Sequence, residues 1–255
     1  MILFRYSRLW LCSFSLACAA LVSAQGNQPK TRFPGPENLT YQVDWRLVNA
    51  GTATVQLSRS GPSKGWEFNV SIASAGLVSR LYRVLDSYKV TTTEQFCVSG
   101  AHLDAQEGKR HSVSTFIADS SHRKLTYEDH DLVKNRTEAK ELDIAPCTYE
   151  ILGALAALRT LNIEQGKSTP VPITDGKKFA NAKIEAQARE TVSAGGKTYH
   201  ATRYEAFLFD NVLYKRRGRL LIWIDDAPDH VPVQFRLFLG FPIGTITVEL
   251  QKQEK

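Results

Sequence analysis

The residues with the most evident capacity for chemistry are carboxylates near the C-terminus: Asp225 and Asp226 side by side, with Asp210 or Glu205 as a third partner. Paired carboxylates can share acid and base roles in hydrolysis. The competing reading is a turn. Asp225-Asp226-Ala227-Pro228-Asp229 has turn composition, because Asp side chains bond nearby backbone groups and Pro presets φ. The turn is favoured, since a bare Asp pair is frequent. Asp225, next to Trp223, can also serve structurally by pairing with Arg236 or Arg219.

The six histidines, His102, His111, His122, His130, His200 and His230, show no ligand spacing. A helical metal site would need two of them four residues apart, and neither Cys97 nor Cys147 has a neighbouring ligand. There is no Gly-x-Ser-x-Gly elbow for a nucleophilic serine and no glycine-rich loop to cradle phosphate. Neither metal nor cofactor is expected, and an enzyme is unsupported by any motif.

The densest positive cluster is Lys215, Arg216, Arg217 and Arg219 around Tyr214. It reads first as a solvated loop. Its functional reading is contact with anionic lipid headgroups or an acidic envelope polymer. Phe207, Leu208, Phe209, Val212 and Leu213 precede it and are either an apolar rim or core. A formal net charge of +6, two units of which come from Arg5 and Arg8 near the N-terminus, is too small for a nucleic-acid footprint.

Those first residues read as a leader. Arg5 and Arg8 are followed by an apolar run from Leu9 to Val22, and Val22-Ser23-Ala24 fits signal peptidase, so cleavage before Gln25 is expected. The run is short for a membrane span of about 20 residues. Ser15 stands where a lipobox ending at Cys18 would want Leu, which favours cleavage and release over lipidation. The expected destination is the periplasm or the exterior. There Cys97 and Cys147 are either a disulfide closing a loop of about fifty residues or two buried thiols.

Residues 25–36 form a polar, Pro-containing tether, and 37–255 read as a single β-rich domain. Leu39, Tyr41, Val43 and Trp45 alternate with polar residues. So do Ala53, Val55 and Leu57, and then Trp66, Phe68, Val70 and Ile72. At the other end, Leu220–Ile224, Val233–Leu239 and Ile246–Leu250 repeat the pattern. Period-two alternation with Gly, Pro and Asn turns predicts antiparallel strands with one dry face, about a dozen in all. The charge-rich middle strands are expected near a sheet edge. Residues 75–85 change period and predict a short helix, and 166–172 read as a loop. Residues 148–161 give the one strong helix, started by Pro146 and Thr148, with Glu150 in its first turn. A helix so apolar must bury most of its surface, which a curved sheet or partly open barrel provides.

In Ile222-Trp223-Ile224-Asp225-Asp226, Pro232-Val233, and Gly240 ahead of Thr245-Ile246-Thr247, the chain resembles a bacterial envelope family known as domain of unknown function 3108. Leu39-Thr40-Tyr41 through Trp45 with Gly51-Thr52-Ala53 resembles the family's opening hairpin. Glu150 to Arg159 resembles its helix, acidic near the start with Arg at the end, and Gly195-Gly196-Lys197 resembles a later turn. The likeness covers about Phe33 to Lys255. It departs at Gly153, Ala156 and Ala157, where larger or hydroxyl residues are expected. It implies a secreted, mostly antiparallel β fold in a Gram-negative-type envelope and brings no catalytic residues. The leading expectation is a monomeric envelope protein binding an apolar or amphipathic small molecule, or an envelope partner, on a curved sheet. The alternatives are a carboxylate-dependent hydrolase acting on envelope polymers and a structural assembly factor.

Overall fold

The computed structural model describes residues 33–61 and 64–255. The leader and Cys18 lie outside the described residues. Fourteen strands form one antiparallel sheet. The first eight are β1 (Glu37–Trp45), β2 (Val48–Ser60), β3 (Gly65–Ser74), β4 (Val84–Thr92), β5 (Val98–Glu107), β6 (Arg110–Asp119), β7 (Lys124–Asp131) and β8 (Arg136–Asp143). The remaining six are β9 (Ser168–Thr174), β10 (Phe179–Ala194), β11 (Lys197–Phe207), β12 (Gly218–Asp225), β13 (Pro232–Leu239) and β14 (Gly244–Glu254). A short helix, α1 (Gly76–Leu81), joins β3 to β4, and α2 (Ile151–Leu158) falls between β8 and β9.

The spatial order is β8 to β1, then β14 down to β9. Every neighbouring pair is adjacent in sequence except β1 and β14, which pair Tyr41 with Leu250 and Trp45 with Ile246. The first and last strands therefore make the middle of the sheet, and its two open edges are β8 and β9. These edges approach without pairing. Lys140 of β8 donates to the Lys177 carbonyl in the β9–β10 turn at 2.9 Å. A side chain at Gly176 in that turn would collide with the Phe116 and Tyr127 rings of β6 and β7. The sheet thus curls into an open barrel with α2 inside it.

Two buried clusters explain the curl. One gathers Ala154 and Leu158 of α2 with Val171, Ile184, Tyr204 and Ile222. The other gathers Ala156 with Phe68, Val90, Phe116 and Leu125. Both halves of the sheet bury their dry face on the same helix, so the helix sets the barrel's curvature. A third cluster joins Leu221 and Trp223 to Ala194, Ala201, Leu39 and Leu250. Here the β10–β11 hairpin folds back, its tip so close to β14 that a Cβ at Gly195 would stand 2.6 Å from the Leu250 oxygen.

Antiparallel order places the connections in two sets. The β1–β2, β5–β6, β7–β8, β9–β10, β11–β12 and β13–β14 connections, together with α1, lie at one end, here called the rim. The β2–β3, β4–β5, β6–β7, β10–β11 and β12–β13 connections lie at the other, the base.

Several boundaries differ from the sequence reading. The predicted helix over 75–85 is only six residues long and buries none of them, because Leu85 is taken by the sheet ladder opposite Ala73. The loop predicted over 166–172 is largely strand: β9 contains Pro170 and Pro172, which an edge strand tolerates since one side of it needs no donors. The helix predicted over 148–161 starts at Ile151 and ends at Leu158. Its entry is delayed because Tyr149 is extended, giving its N–H to the Pro172 carbonyl and accepting from Thr174 N, at 2.8 and 2.9 Å. The predicted charge-rich edge is β8, exposed along nearly its whole length.

Candidate functional site

The site is the barrel interior above and around α2. Its local cause is the N-cap of that helix. Glu150, not Thr148, is the cap: its backbone is extended and its carboxylate accepts from Leu152 N at 2.7 Å. Thr148 instead donates to the Ala145 carbonyl. Glu150 is only 2 % exposed. Burial pushes its carboxyl up from 4.5 to about 7, against the helix-end N–H groups and the Tyr88 hydroxyl, which favour the charged form. The Tyr88 hydroxyl is itself held well above its ordinary range, by burial first and by the Glu150 charge second.

Gly153 lets the helix sit deep. A Cβ there would stand 2.5 Å from the Phe96 carbonyl in the β4–β5 turn. Gly153, where a larger residue was expected from the resemblance, is thus what allows this approach. The same turn is tied down by the Cys97–Cys147 disulfide, with Cα atoms 5.0 Å apart. At the helix C-terminus, Arg159 forms a buried fork onto both Glu37 oxygens and donates to the Asp229 carbonyl at 3.0 Å. Their side chains are 4 % and 2 % exposed.

Between α2 and the middle of the sheet is an apolar cavity of about 190 Å³, lined by Leu39, Tyr41, Val55, Phe68, Leu155 and Phe235 among others. Across Leu155 lies a second apolar cavity of about 90 Å³, walled by Ile173, Ile184, Leu208 and Ile222. Both share Ile151, Leu155 and Phe235. Each is below the 300 Å³ or so of a drug-sized pocket, so a single chain or ring fits rather than a bulky ligand. The same sheet face continues past α2 toward the rim through Val43, Ile72, Leu237 and Ile246, none of which is fully covered. Alongside, a more polar cavity of about 270 Å³ is lined by Tyr88, Leu103, Ser114, Tyr127, Asp175 and Lys177. Asp86, two residues from Tyr88 on β4, is raised by burial to about 6.

The interior residues Glu150, Tyr88, Asp86, Leu155 and Phe235 were not singled out from the sequence as site residues. Glu150 was visible as a first-turn acid, and the others carried only the signal of strand or helix periodicity.

The residues that were singled out are dispersed. Asp225 ends β12 and Asp226 begins the β12–β13 turn, both at the base. Asp210 follows β11 at the rim, with φ +56. Some seven strand residues, or roughly 20 Å, separate the two positions. Asp226 does face a cleft of mixed lining, about 520 Å³, at the base, beside Arg189, Thr202, Glu164 and His230. Its carboxylate is held by Thr202 at 2.7 Å, with Arg189 at 3.8 Å. Asp225 takes neither suggested arginine: Arg219 forms a fork on Glu205 at 2.8 and 2.9 Å, and Arg236 lies over the Trp223 ring. That fork holds the Glu205 carboxyl below its ordinary range. Asp210 thus stands at the opposite end of the barrel from Asp225 and Asp226. Among the described residues no group of three or more His, Cys, Asp or Glu could hold a metal ion.

The basic cluster is divided as well. Tyr214 turns inward against Phe209, their rings 5.4 Å apart, and packs on the first cluster; Leu208 and Leu213 are core. Lys215, Arg216 and Arg217 remain exposed at the rim, while Arg219 is held by Glu205. As for an assembly strand, edge β8 presents Glu138, Lys140 and Glu141, which discourages strand addition.

Comparison with known proteins agrees with this architecture. The family described as protein of unknown function (DUF3108) matches residues 40–251. The chain belongs to this family. As a member of DUF3108 it resembles, in structure, a β-barrel-like protein of domain of unknown function DUF1849 from Brucella abortus. That match has a TM-score of 0.56 at 8 % identity and covers 88 % of this chain and 98 % of the other. The likeness is one of fold alone. Two more distant structures are a protein described as exported, with a YmcC-like fold, from Bacteroides fragilis, and one described as a lipoprotein from Parabacteroides distasonis. Their TM-scores are 0.34 and 0.33, each at 10 % identity, covering 88 % and 87 % of this chain and 97 % of theirs. No curated protein matches the chain.

Proposed function

We propose that this DUF3108 protein is a binding protein of the bacterial cell envelope that holds the apolar part of an amphiphilic small molecule inside its barrel. The observation that carries the reading is the apolar inner face that runs on past α2, through Val43, Ile72, Leu237 and Ile246, without a covering element among the described residues. A filled barrel would bury these residues against one another. An apolar chain entering from the rim would cover them and reach the cavities beside Leu155. Tyr88, Asp175 and Lys177 stand along the more polar wall, where the ligand's head would rest. The envelope assignment is supported by the leader pattern ending at Ala24 and by the Cys97–Cys147 bond, which belongs to an oxidising compartment.

The test is native mass spectrometry of gently purified protein, with displacement of an apolar fluorescent dye such as 1-anilinonaphthalene-8-sulfonate. The expected result is a co-purified lipid-like mass, and dye binding that Leu155→Trp abolishes by filling the cavity. Protein that arrives empty and binds neither dye nor fatty acid overturns the reading.

A further inference from the structure

We propose that the rim of the barrel docks on an anionic phospholipid surface, with Leu47 and Phe241 inserting at its centre. Of the large apolar side chains exposed by the described residues, all but Ile117 and Leu161 lie in the rim connections or in strand residues next to them. Leu47 at the β1–β2 turn is 99 % exposed and Phe241 at the β13–β14 turn is 96 % exposed. These two turns are neighbours and are fastened together: Trp45 Nε1 donates to the Ile243 carbonyl at 2.7 Å, and Arg46 N to the Thr245 carbonyl at 2.7 Å. The two tips therefore move as one. Leu77 and Leu81 of α1 and Val133 of the β7–β8 turn stand on other rim connections, exposed by 61 %, 71 % and 63 %.

Charge identifies the occupant. Arg80 stands in α1's last turn and Arg83 just beyond it, Lys109 sits in the β5–β6 turn, and Lys215, Arg216 and Arg217 in the β11–β12 loop. Among the described residues none of these six forms an ion pair. Of the acids at this end, Asp131 and Glu138 are occupied by Lys134 and Arg136; Asp44, Asp86 and Glu107 stand near strand ends, Asp175 in the β9–β10 turn and Asp210 in the β11–β12 loop. At the base Lys64, Arg123, Lys167 and Lys197 also stand outside ion pairs among the described residues, but singly on separate connections, and Glu94, Asp119, Asp143 and Asp229 are each in contact with a cationic or His group. A protein partner would more often meet one contiguous apolar patch. Separate apolar tips interleaved with unpaired cations suit a surface that supplies headgroup charge everywhere and acyl depth beneath it.

The inference does not depend on the interior ligand. It is tested on the full chain with vesicles of phosphatidylcholine alone or with about a third phosphatidylglycerol, so any contribution of the N-terminal apolar run is common to every variant. Phe241→Trp supplies a local reporter. Taken as the difference from the parent, whose Trp45 also lies at the rim, its fluorescence is expected to shift to the blue and to be quenched by brominated acyl chains in anionic vesicles, while the same difference for Lys197→Trp at the base stays near zero. Leu47→Ser with Phe241→Ser, and separately Arg216→Glu with Arg217→Glu, are each expected to weaken the anionic-vesicle affinity at least tenfold with unchanged melting. Leu155→Trp leaves docking intact, which separates failure here from failure of the ligand reading. Sedimentation with vesicles while the Phe241→Trp reporter stays silent overturns the proposal, as does equal binding to neutral vesicles. So does self-association or protein binding through the rim with no vesicle response.

Discussion

The two ends of the barrel are built on opposite principles. The base is cross-linked. Cys97–Cys147, the Arg159–Glu37 fork and the close seat of Gly153 on Phe96 all lie there, joining α2 to the β4–β5 turn, to β1 and to the β12–β13 turn. The rim carries exposed apolar tips and cations outside any ion pair among the described residues, and its neighbouring connections are joined by hydrogen bonds, Arg46 N to the Thr245 carbonyl and Gly108 N to the Arg83 carbonyl among them. The same strands run through both ends, so the difference lies in the connections and in α2. The fastenings of α2 lie at the base, and among the described residues the apolar face past α2 stays uncovered, as the proposed ligand site requires.

That contrast can be broken from the base. Arg159→Leu leaves the Glu37 carboxylate buried without its partner and is expected to destabilise by about 3–5 kcal/mol, read as a lowered urea midpoint. Adding Glu37→Gln to it should recover part of the loss, because no buried charge then remains. Replacing Cys97 and Cys147 by Ser reopens a loop with a sequence separation of 50 and should cost roughly 4 kcal/mol in the same assay.

Glu150 sharpens the comparison through pH. Its folded carboxyl is raised from 4.5 to about 7, so the folded state binds the extra proton between those values. The stabilisation is complete below pH 4.5 and is lost as pH rises through 7, worth about 3 kcal/mol at ~1.4 per pH unit. Glu150→Gln should remove that slope, measured as the difference between variant and parent denaturation curves across this window. Gly153→Ala, which pushes the helix off the Phe96 carbonyl, should cost about 1–3 kcal/mol. At the rim, Leu47→Ser and Phe241→Ser should change stability by no more than about 0.5 kcal/mol, since both side chains are already in solvent. A large loss there would erase the distinction between the ends.

The alternation of Leu39–Trp45, Ala53–Leu57 and Leu220–Ile224 is read directly from sequence because a strand's two faces meet different media. Turn residues carry their own signal too: Gly195 and Gly196 both hold positive φ between β10 and β11. Boundaries were harder where tertiary bonds compete with local preference. Tyr149 looks helical by neighbourhood but is drawn into a bridge with β9, and Pro170 and Pro172 look like loop until the edge position makes their missing donors harmless. The site was barely legible. Clusters adjacent in sequence, such as Tyr214 to Arg219, are split by the fold into core, solvent and ion pair.

Sequence by itself therefore determined most of the strands, though not β9, together with the apolar helix and the family likeness, because each rests on short-range periodicity or local motif. Tertiary structure alone decided that β1 pairs with β14 and that β8 and β9 stay apart. It also decided that Asp210 and Asp225 stand at opposite ends, and that the exposed apolar tips collect at one of them. Those outcomes depend on which strands close the sheet and on where α2 sits within it. They are set by long-range burial on a shared helix, which no window of neighbouring residues encodes.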